Sequence, residues 1–511
     1  METDISYEIE RLLRFALNRK LIEEKDLIYA RNALLDLLKI SEPYNCLFDK
    51  DMEIKNIDTP SSILDPILDH CAKNGIIEKN TTTNRDLMDA RIMGLLMARP
   101  SEVSKEFHRL YALNKKSATD YFYDLSKSSN YIQLDRIRKN LKWETPTDFG
   151  ALEITINLSK PEKDPSEIIK SRFLPESGYP KCLLCKENEG FSGNIKHPAR
   201  QNLRLIELNL NDENWYMQYS PYVYYNEHCI VLSRDHVPMK TTENTFKRLI
   251  DFIDYLPHYF IGSNADIPIV GGSILSHDHY QGGRHIFPME KAFSYAKYSH
   301  KDYEYINIEL VKWPMSTIRI SSKDKEKLIF LAIYITDSWK KYSDEKVDII
   351  AYTNNTPHNA VTPIARINKL RLYELDIVLR NNRTTEEFPT GLFHPHENLH
   401  HIKKENIGLI EVMGLGILPG RLDKDFKDII KILMGEVEFD SFDLGKYTNW
   451  TKDLLNKYGN RNSNEKAFDI LKKETGLIFL KVLEDAGVFK FTIKGKEHFN
   501  KFMEHMEFYR I

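Results

Sequence analysis

The densest group of side chains that could do chemistry lies in residues 271–285, GGSILSHDHYQGGRH. If this stretch is extended, His277, His279 and Gln281 share one face of a strand at spacings of about 6.5–7 Å. A neutral imidazole on such a face is a good nucleophile near neutral pH. The glycine pairs on either side let the backbone approach a bulky anionic ligand, because glycine has no Cβ. Donors suited to phosphate oxygens lie in the same segment: Ser273, Ser276 and Arg284.

The alternative interpretation of these residues is a polar turn whose histidines face solvent. For an isolated His-x-His that interpretation is the better one. The flanking glycine pairs, with Gln281 and Arg284 in the same segment, favour a functional site instead.

A second constellation combines Cys182-x-x-Cys185 with His236 and His277. Zinc is commonly held by four nitrogen or sulfur ligands in a tetrahedron, and a Cys-x-x-Cys supplies two of them. Two buried or chance cysteines are an equally open interpretation of the pair itself. A redox pair is disfavoured, because no strand-to-helix context of the thioredoxin kind surrounds it.

A third set consists of histidines, with one carboxylate that could join them: His358, His394, His396 and Glu290. Imidazole-rich sets bind zinc or iron. A solvated turn is the alternative, since His400 and His401 follow directly.

Arg99, which precedes Pro100 and Ser101, is a further candidate for a phosphate site. An arginine before a turn suits bidentate anion binding. The structural alternative is that Ser101 caps the helix that follows.

These residues need a scaffold, and the residue pattern along the sequence predicts four segments. Residues 1–150 are predicted to be mostly helical, and residues 151–300 begin with the strict alternation of a strand at 152–158, which Pro161 to Pro165 would end. Helical periodicity predicts a helix over 243–255. Residues 301–420 form the third segment, with a strand predicted at 347–352. Residues 421–511 are predicted to be a helical tail with a short strand at 488–493.

Composition narrows the class of protein. The 511 residues carry 72 Lys and Arg against 75 Asp and Glu, a net charge of −3, which argues against a generally basic nucleic-acid binder. No stretch approaches the roughly 20 apolar residues of a membrane helix, and the first residues lack an apolar signal segment. Five cysteines do not make a disulfide framework. We therefore expect a cytoplasmic protein that binds neither membrane nor nucleic acid.

Taken together, His277-Asp278-His279-Tyr280-Gln281, Cys182-x-x-Cys185 and Ser233-Arg-Asp-His236 resemble the galactose-1-phosphate uridylyltransferases, a branch of the histidine-triad superfamily. The better-known class has His-Pro-His-Gly-Gln at the signature. Asp278 and Tyr280 replace its proline and glycine, and residues 152–165 also look like the second, bacterial class. The resemblance covers about residues 85–420. It implies an α/β (α+β) fold in which two histidine-triad-like halves share a mostly antiparallel sheet, here with an added helical N-terminal region and C-terminal tail.

The resemblance also implies roles for the candidate residues. It makes His279 the nucleophile and Gln281 the partner of a phosphate oxygen, and it makes four residues the ligands of a structural zinc: Cys182, Cys185, His236 and His277. His358, His394 and His396 look like the histidines of a second metal site, an iron site in the better-known class. Glu290 is the nearest candidate for the carboxylate of that site.

The implied activity is transfer of UMP from UDP-glucose to galactose 1-phosphate, with glucose 1-phosphate and UDP-galactose as products. A covalent uridylyl-histidine and ping-pong kinetics are expected, and in the family the site forms between the subunits of a dimer. Two alternatives stay open. One is another histidine-triad enzyme, such as a dinucleoside-polyphosphate phosphorylase or hydrolase. The other is a zinc-structured interaction module, although residues 181–194 show no basic or aromatic stripe.

Overall fold

The computed structural model describes residues 4–45, 54, 57–159, 178–272 and 274–511. Its α-helices are α1 Ile5–Asn18, α2 Leu27–Leu38, α3 Ser61–Lys73, α4 Thr82–Leu95, α5 Pro100–Leu113, α6 Lys115–Ser128, α7 Leu134–Ile137, α8 Glu243–Tyr255, α9 Pro288–Lys291, α10 Lys325–Lys341, α11 Leu409–Val412, α12 Arg421–Met434, α13 Thr448–Tyr458, α14 Asn464–Ala486 and α15 Ile493–His505. The mostly helical N-terminal region and the helical tail are therefore confirmed. The predicted break at Pro161 to Pro165 lies outside the described residues.

The strands are β1 Leu141–Thr147, β2 Gly150–Asn157, β3 Ile206–Leu210, β4 Glu213–Tyr219, β5 Cys229–Ser233, β6 Phe260–Gly262, β7 His279–Gly283, β8 Ser294–Ser299, β9 Asn307–Val311, β10 Thr317–Ser322, β11 Tyr352–Thr353, β12 Thr356–Pro357, β13 Asn359–Ile367, β14 Tyr373–Asn381, β15 Leu415–Pro419 and β16 Tyr509–Arg510. The alternation predicted at 152–158 is β2. Its apolar side chains are buried, and the strand lies between β1, which is antiparallel to it, and β15, which is parallel to it.

Contacts group the chain into two units, one of Met1–Lys139 with Ser159–Val237 and one of Asn140–Leu158 with Pro238–Ile511. Within the first unit, β3, β4 and β5 pair antiparallel in chain order. Within the second, strands follow one another in the order β16-β8-β9-β10-β14-β13-β6-β7, and each pair is antiparallel. The prediction of a mixed α/β fold with a mostly antiparallel sheet is confirmed.

Helices α8 and α10 pack on this sheet in the second unit, where both contact β13. Trp339 on α10 is fully buried, and its indole N–H donates to the carbonyls of Ala360 and Arg380 on β13 and β14. Buried apolar side chains of α8, such as Phe246 and Leu249, follow helical spacing, and the observed helix has the predicted bounds. The helical layer thus holds the strands that lead to β7.

Two predicted strands are wrong. At 347–352 the chain makes a 3-10 turn, Glu345–Val347, and Asp348 follows with φ of 60°, a left-handed conformation that interrupts an extended run. At 488–493 the N–H of Phe489 donates to the Ser316 hydroxyl instead of to a strand, and Thr492 already caps α15. Over the described residues no helix is both long and apolar enough to cross a membrane.

Candidate active site

The strand β7 carries the signature residues. It pairs antiparallel with β6, so that Gly262 lies opposite Gln281 and Phe260 opposite Gly283. His277 and His279 are buried, whereas Gln281 is half-buried. Because side chains alternate along a strand, His279 and Gln281 face the same side of β7, whereas His277 lies in the bend before the strand.

One hydrogen bond determines which nitrogen of His279 is available for chemistry. Its Nδ1 lies 2.8 Å from the backbone carbonyl oxygen of His277. A carbonyl can only accept, so Nδ1 carries the proton and the lone pair of the neutral ring is on Nε2. Burial lowers the pKa of the His279 imidazole to about 4. The ring is therefore neutral near pH 7, with its lone pair on Nε2.

Asp278 and Tyr280 occupy the opposite side of the same segment, where α8 packs. Arg248 on α8 lies with Nη1 3.3 Å from Asp278 Oδ2 and donates from the same nitrogen to the Tyr280 hydroxyl at 3.2 Å. Sequence reasoning missed Arg248. A signal was present, because Arg248 shares helical spacing with the buried Thr245 and Phe252. Asp278 and Tyr280, the two residues that differ from the better-known signature, thus both contact Arg248.

The first glycine pair of the segment packs against the chain's own atoms. A Cβ on Gly271 would lie 2.5 Å from the carbonyl oxygen of Ala265, and one on Gly272 would lie 2.6 Å from the Asn264 amide nitrogen. The Asn264 amide oxygen accepts the N–H of Leu409. These glycines are required for the folding of the loop itself, which differs from the predicted role of admitting a ligand.

The predicted phosphate donors lie in different environments. Ser276 is exposed and Arg284 is half-buried on the segment, whereas Ser273 lies outside the described residues. Arg99 belongs to the first unit, where its side chain is exposed and its backbone N–H donates to Glu102 at 2.9 Å. Glu102, not Ser101, thus makes the capping contact at the start of α5.

The second constellation is brought together. One ligand atom from each of four residues lies within 4.8 Å of all the others, in a group that could hold a metal ion: Cys182, Cys185, His236 and His277. Cys185 Sγ is 3.2 Å from His236 Nδ1 and 3.6 Å from Cys182 Sγ. The Asn188 amide donates to the backbone carbonyls of both cysteines, which fixes the turn between them. Burial raises the pKa of the Cys182 thiol to about 11.

The structure does not bring the third set together as a group of closely spaced ligand atoms, and the second metal site stays a prediction. Among the described residues, the Cys₂His₂ group is the one set of three or more closely spaced ligand atoms. Glu290 lies 3.9 Å from Arg366, and His358 bonds Asn382 and Thr353.

The remaining two histidines of that set also have other partners. The His394 ring contacts the Asn406 amide oxygen, and the His396 ring contacts Asp485 and the Leu392 carbonyl.

A mixed α/β fold that holds a buried, tautomer-fixed histidine on a strand fits the class of histidine-dependent transferases. Comparison with family models identifies the branch. The model for the N-terminal domain of galactose-1-phosphate uridyl transferase matches residues 20–238, and the model for its C-terminal domain matches residues 252–440. The chain therefore belongs to the galactose-1-phosphate uridyl transferase family, which makes it a nucleotidyltransferase.

Curated relatives are similar to this chain along its whole length. A galactose-1-phosphate uridylyltransferase of Caldanaerobacter subterraneus subsp. tengcongensis is 57% identical over 100% of this chain and 99% of the relative. Proteins of the same name from Clostridium acetobutylicum and Bacillus subtilis are 53% and 48% identical, each over 98% of this chain and over 99% and 97% of the relative. Among solved structures, the yeast Ap4A phosphorylase Apa2 aligns at 12% identity over 58% of this chain and 88% of that chain, with a TM-score of 0.30.

Proposed function

We propose that this chain transfers UMP from UDP-glucose to galactose 1-phosphate through a covalent uridylyl group on Nε2 of His279. The substrates follow from the family and from the names of its relatives. The observation that carries the assignment of the nucleophile is the hydrogen bond from His279 Nδ1 to the His277 carbonyl. It leaves the lone pair of a buried neutral ring on the other nitrogen.

In the first half-reaction, the Nε2 lone pair attacks the α-phosphorus of UDP-glucose. An N–P bond forms while the bond between that phosphorus and the bridging oxygen breaks, and glucose 1-phosphate leaves with the bonding electrons. No general base is required for the nucleophile, because burial keeps the pKa of His279 at about 4 and the ring is neutral. The Nδ1 proton stays on the ring, where the His277 carbonyl stabilises the positive charge that develops.

In the second half-reaction, a phosphate oxygen of galactose 1-phosphate attacks the same phosphorus. The N–P bond breaks and the electron pair returns to Nε2, which restores neutral His279. Retention of the Nδ1 proton matters at this step, because the ring then leaves as neutral imidazole, which is a better leaving group than the imidazolide anion. The same tautomer of His279 thus serves both half-reactions.

Gln281 is proposed to donate to a non-bridging oxygen of the transferred phosphoryl group. It faces the same side as His279 and is placed two residues further along the strand. Arg284, Ser276 and Ser273 supply further donors for the phosphates, and Arg99 is a weaker candidate for the same task. Such groups lower the barrier by neutralising charge that builds on the phosphate oxygens.

For the metal group we propose zinc. Two thiolates and two imidazoles are the donor set that zinc takes in four-coordinate structural sites, and all four positions are occupied by protein. When bound, zinc supplies a structural cross-link and no substrate-binding position. His277 would be held by its ring and would present its carbonyl to His279, which orients the nucleophile. Reduced thiols are required for this group, which supports a cytoplasmic location. A homodimer stays a prediction.

The proposal is tested by incubating the protein with UDP-glucose labelled in its uridine and quenching in base. We expect release of glucose 1-phosphate before galactose 1-phosphate is added, label on the peptide that contains residues 271–285, and parallel lines in initial-rate plots. Label on another peptide, or intersecting lines, would contradict the role of His279. Cleavage of a dinucleoside polyphosphate with no transfer to galactose 1-phosphate would replace the substrate assignment.

A further inference from the structure

The contacts of Arg248 lie on both sides of the nucleophile. Residues 278 and 280, the two neighbours of His279 in the chain, are bonded by a single guanidinium nitrogen of Arg248, at 3.3 Å and 3.2 Å. The Arg248 and Asp278 side chains are only 12% and 10% exposed, and Tyr280 is fully buried. A hydrogen-bonded ion pair so well removed from water is strongly directional.

Asp278 also belongs to the peptide group that fixes the tautomer of His279. The carbonyl that accepts the His279 Nδ1 proton is the carbonyl of His277, and it is part of the peptide plane that joins His277 to Asp278. A rotation of that plane would turn the acceptor away from the ring. Anchoring the Asp278 side chain to α8 resists this rotation, and the His277 ring, at the other end of the same peptide group, belongs to the candidate metal group.

We propose that Arg248 is a positioning residue for the transfer reaction. Through Asp278 and Tyr280 it holds the peptide plane whose carbonyl selects the reactive tautomer of His279, and it does so without touching the substrate. This inference rests on the proposed role of His279 as nucleophile. It also explains why aspartate and tyrosine stand at the two signature positions where the better-known class has proline and glycine.

The test compares Arg248→Met with Lys247→Met, a matched variant one residue away on the same helix. Lys247 makes an exposed ion pair with Glu243, so its loss should change no kinetic constant. For Arg248→Met we expect the single-turnover rate of glucose 1-phosphate release and kcat to fall by about tenfold or more, with KM for UDP-glucose within about twofold. Metal content per chain should equal that of the wild type.

Two further variants separate positioning from folding. Arg248→Lys keeps the charge but not the planar guanidinium, and should recover part of the lost rate. Asp278→Asn should lower kcat as Arg248→Met does, and the double variant should be no slower than the slower single variant, because both remove one interaction. If Arg248→Met does not fold, Tyr280→Phe takes its place, with an expected loss of about threefold in kcat at constant metal content.

The outcomes are distinct. A rate for Arg248→Met within about twofold of Lys247→Met would overturn the inference. The inference would also be overturned if activity fell only in proportion to the loss of metal or of folded protein. Additive losses of kcat in the double variant would overturn it as well. A wild-type protein that releases no glucose 1-phosphate, or carries label on another peptide, would instead contradict the proposed function on which the inference rests.

Discussion

Two His-x-His segments of this chain, residues 277–279 and 394–396, have the same spacing and different surroundings. His279 and His394 are 6% and 5% exposed, and burial lowers the pKa of both imidazoles. Spacing and burial therefore do not distinguish a candidate nucleophile from a packing histidine.

Hydrogen bonding distinguishes them. His279 directs Nδ1 at a carbonyl and keeps the lone pair on Nε2. Both ring nitrogens of His394 have oxygen partners, the Pro395 carbonyl and the Asn406 side chain, each at 3.3 Å. Each nitrogen of His394 is thus covered by an oxygen atom and is not open to a phosphorus atom or a metal ion. The tautomer, which the backbone selects, is the difference that matters.

The backbone also differs between the two segments. The first runs directly into strand β7, which begins at His279, so that His279 and Tyr280 face opposite sides of the strand. The second runs into a 3-10 turn, Glu397–Leu399, directly after His396. The first segment thus leads into a strand and the second into a turn, so equal spacing in the sequence gives no equivalent backbone.

The largest effect that sharpens this comparison is expected for His279, the proposed nucleophile. His279→Asn should lower kcat by about a thousandfold or more, because no other group can form the covalent intermediate. His396→Asn, the matched change in the second segment, should leave kcat within about threefold. Steady-state assays with UDP-glucose and galactose 1-phosphate check both variants. Comparable losses in the two would show that the segments are not functionally different.

The two segments should also differ in how they affect metal content. Cys182→Ser should lose close to the full metal complement and lower the melting temperature, since binding to a structural site contributes directly to folding. His394→Asn should keep the metal of the wild type, because its ring contacts Asn406 and not the Cys₂His₂ group. Elemental analysis of the purified chains measures both. Full metal in Cys182→Ser would remove that residue from the ligand set.

Sequence reasoning was most successful where the pattern is local. The alternation at 152–158 correctly indicates a strand, although Thr155 and Asn157 on its second face are also buried, and the bounds of α8 follow from apolar residues at helical spacing. The residues of the signature and of the Cys₂His₂ group could also be found, because their types are rare and their chemistry is restrictive.

Contacts between distant residues were not predictable in the same way. The longest strands of the second unit, β13 and β14, were missed because they are buried on both faces and show no alternation. Asp376 on β14 is fully buried between Arg319 and Arg366, so the strand looks polar in sequence. Arg248 and Asp278 are 30 residues apart, and only the fold pairs them.

The dependence of activity on pH gives a smaller effect. Burial lowers the pKa of His279 to about 4, so its nucleophilic form is complete well above that value and is lost as the pH falls through it. From about pH 8 down to about pH 5.5, kcat/KM should therefore change by less than about twofold on account of this group. Metal content must be measured at each pH, because thiolate ligands are protonated in acid. If kcat/KM falls in acid with a midpoint near pH 6.5 while the metal content is full, the His279 imidazole has an ordinary pKa and the prediction is wrong.

The smallest expected effect concerns the packing role of His396. Its ring lies 3.4 Å from Asp485 in a partly exposed pair and stacks on Phe388 with centroids 4.4 Å apart. His396→Gln should cost about 1 kcal/mol or less, a shift in melting temperature of about 2 °C or less.

Asp485→Ala should cost more than His396→Gln, because Asp485 also accepts the backbone N–H of His396 at 3.1 Å and holds the turn itself. Thermal unfolding followed by circular dichroism, with metal content determined on the same samples, measures both variants. A melting temperature for His396→Gln as low as that of Cys182→Ser, or a loss of metal from it, would give the second segment a role in metal binding after all. If the metal content is unchanged and the melting temperature shifts only slightly, the second segment has no role in metal binding. The two segments then differ in the hydrogen bond that fixes the His279 tautomer.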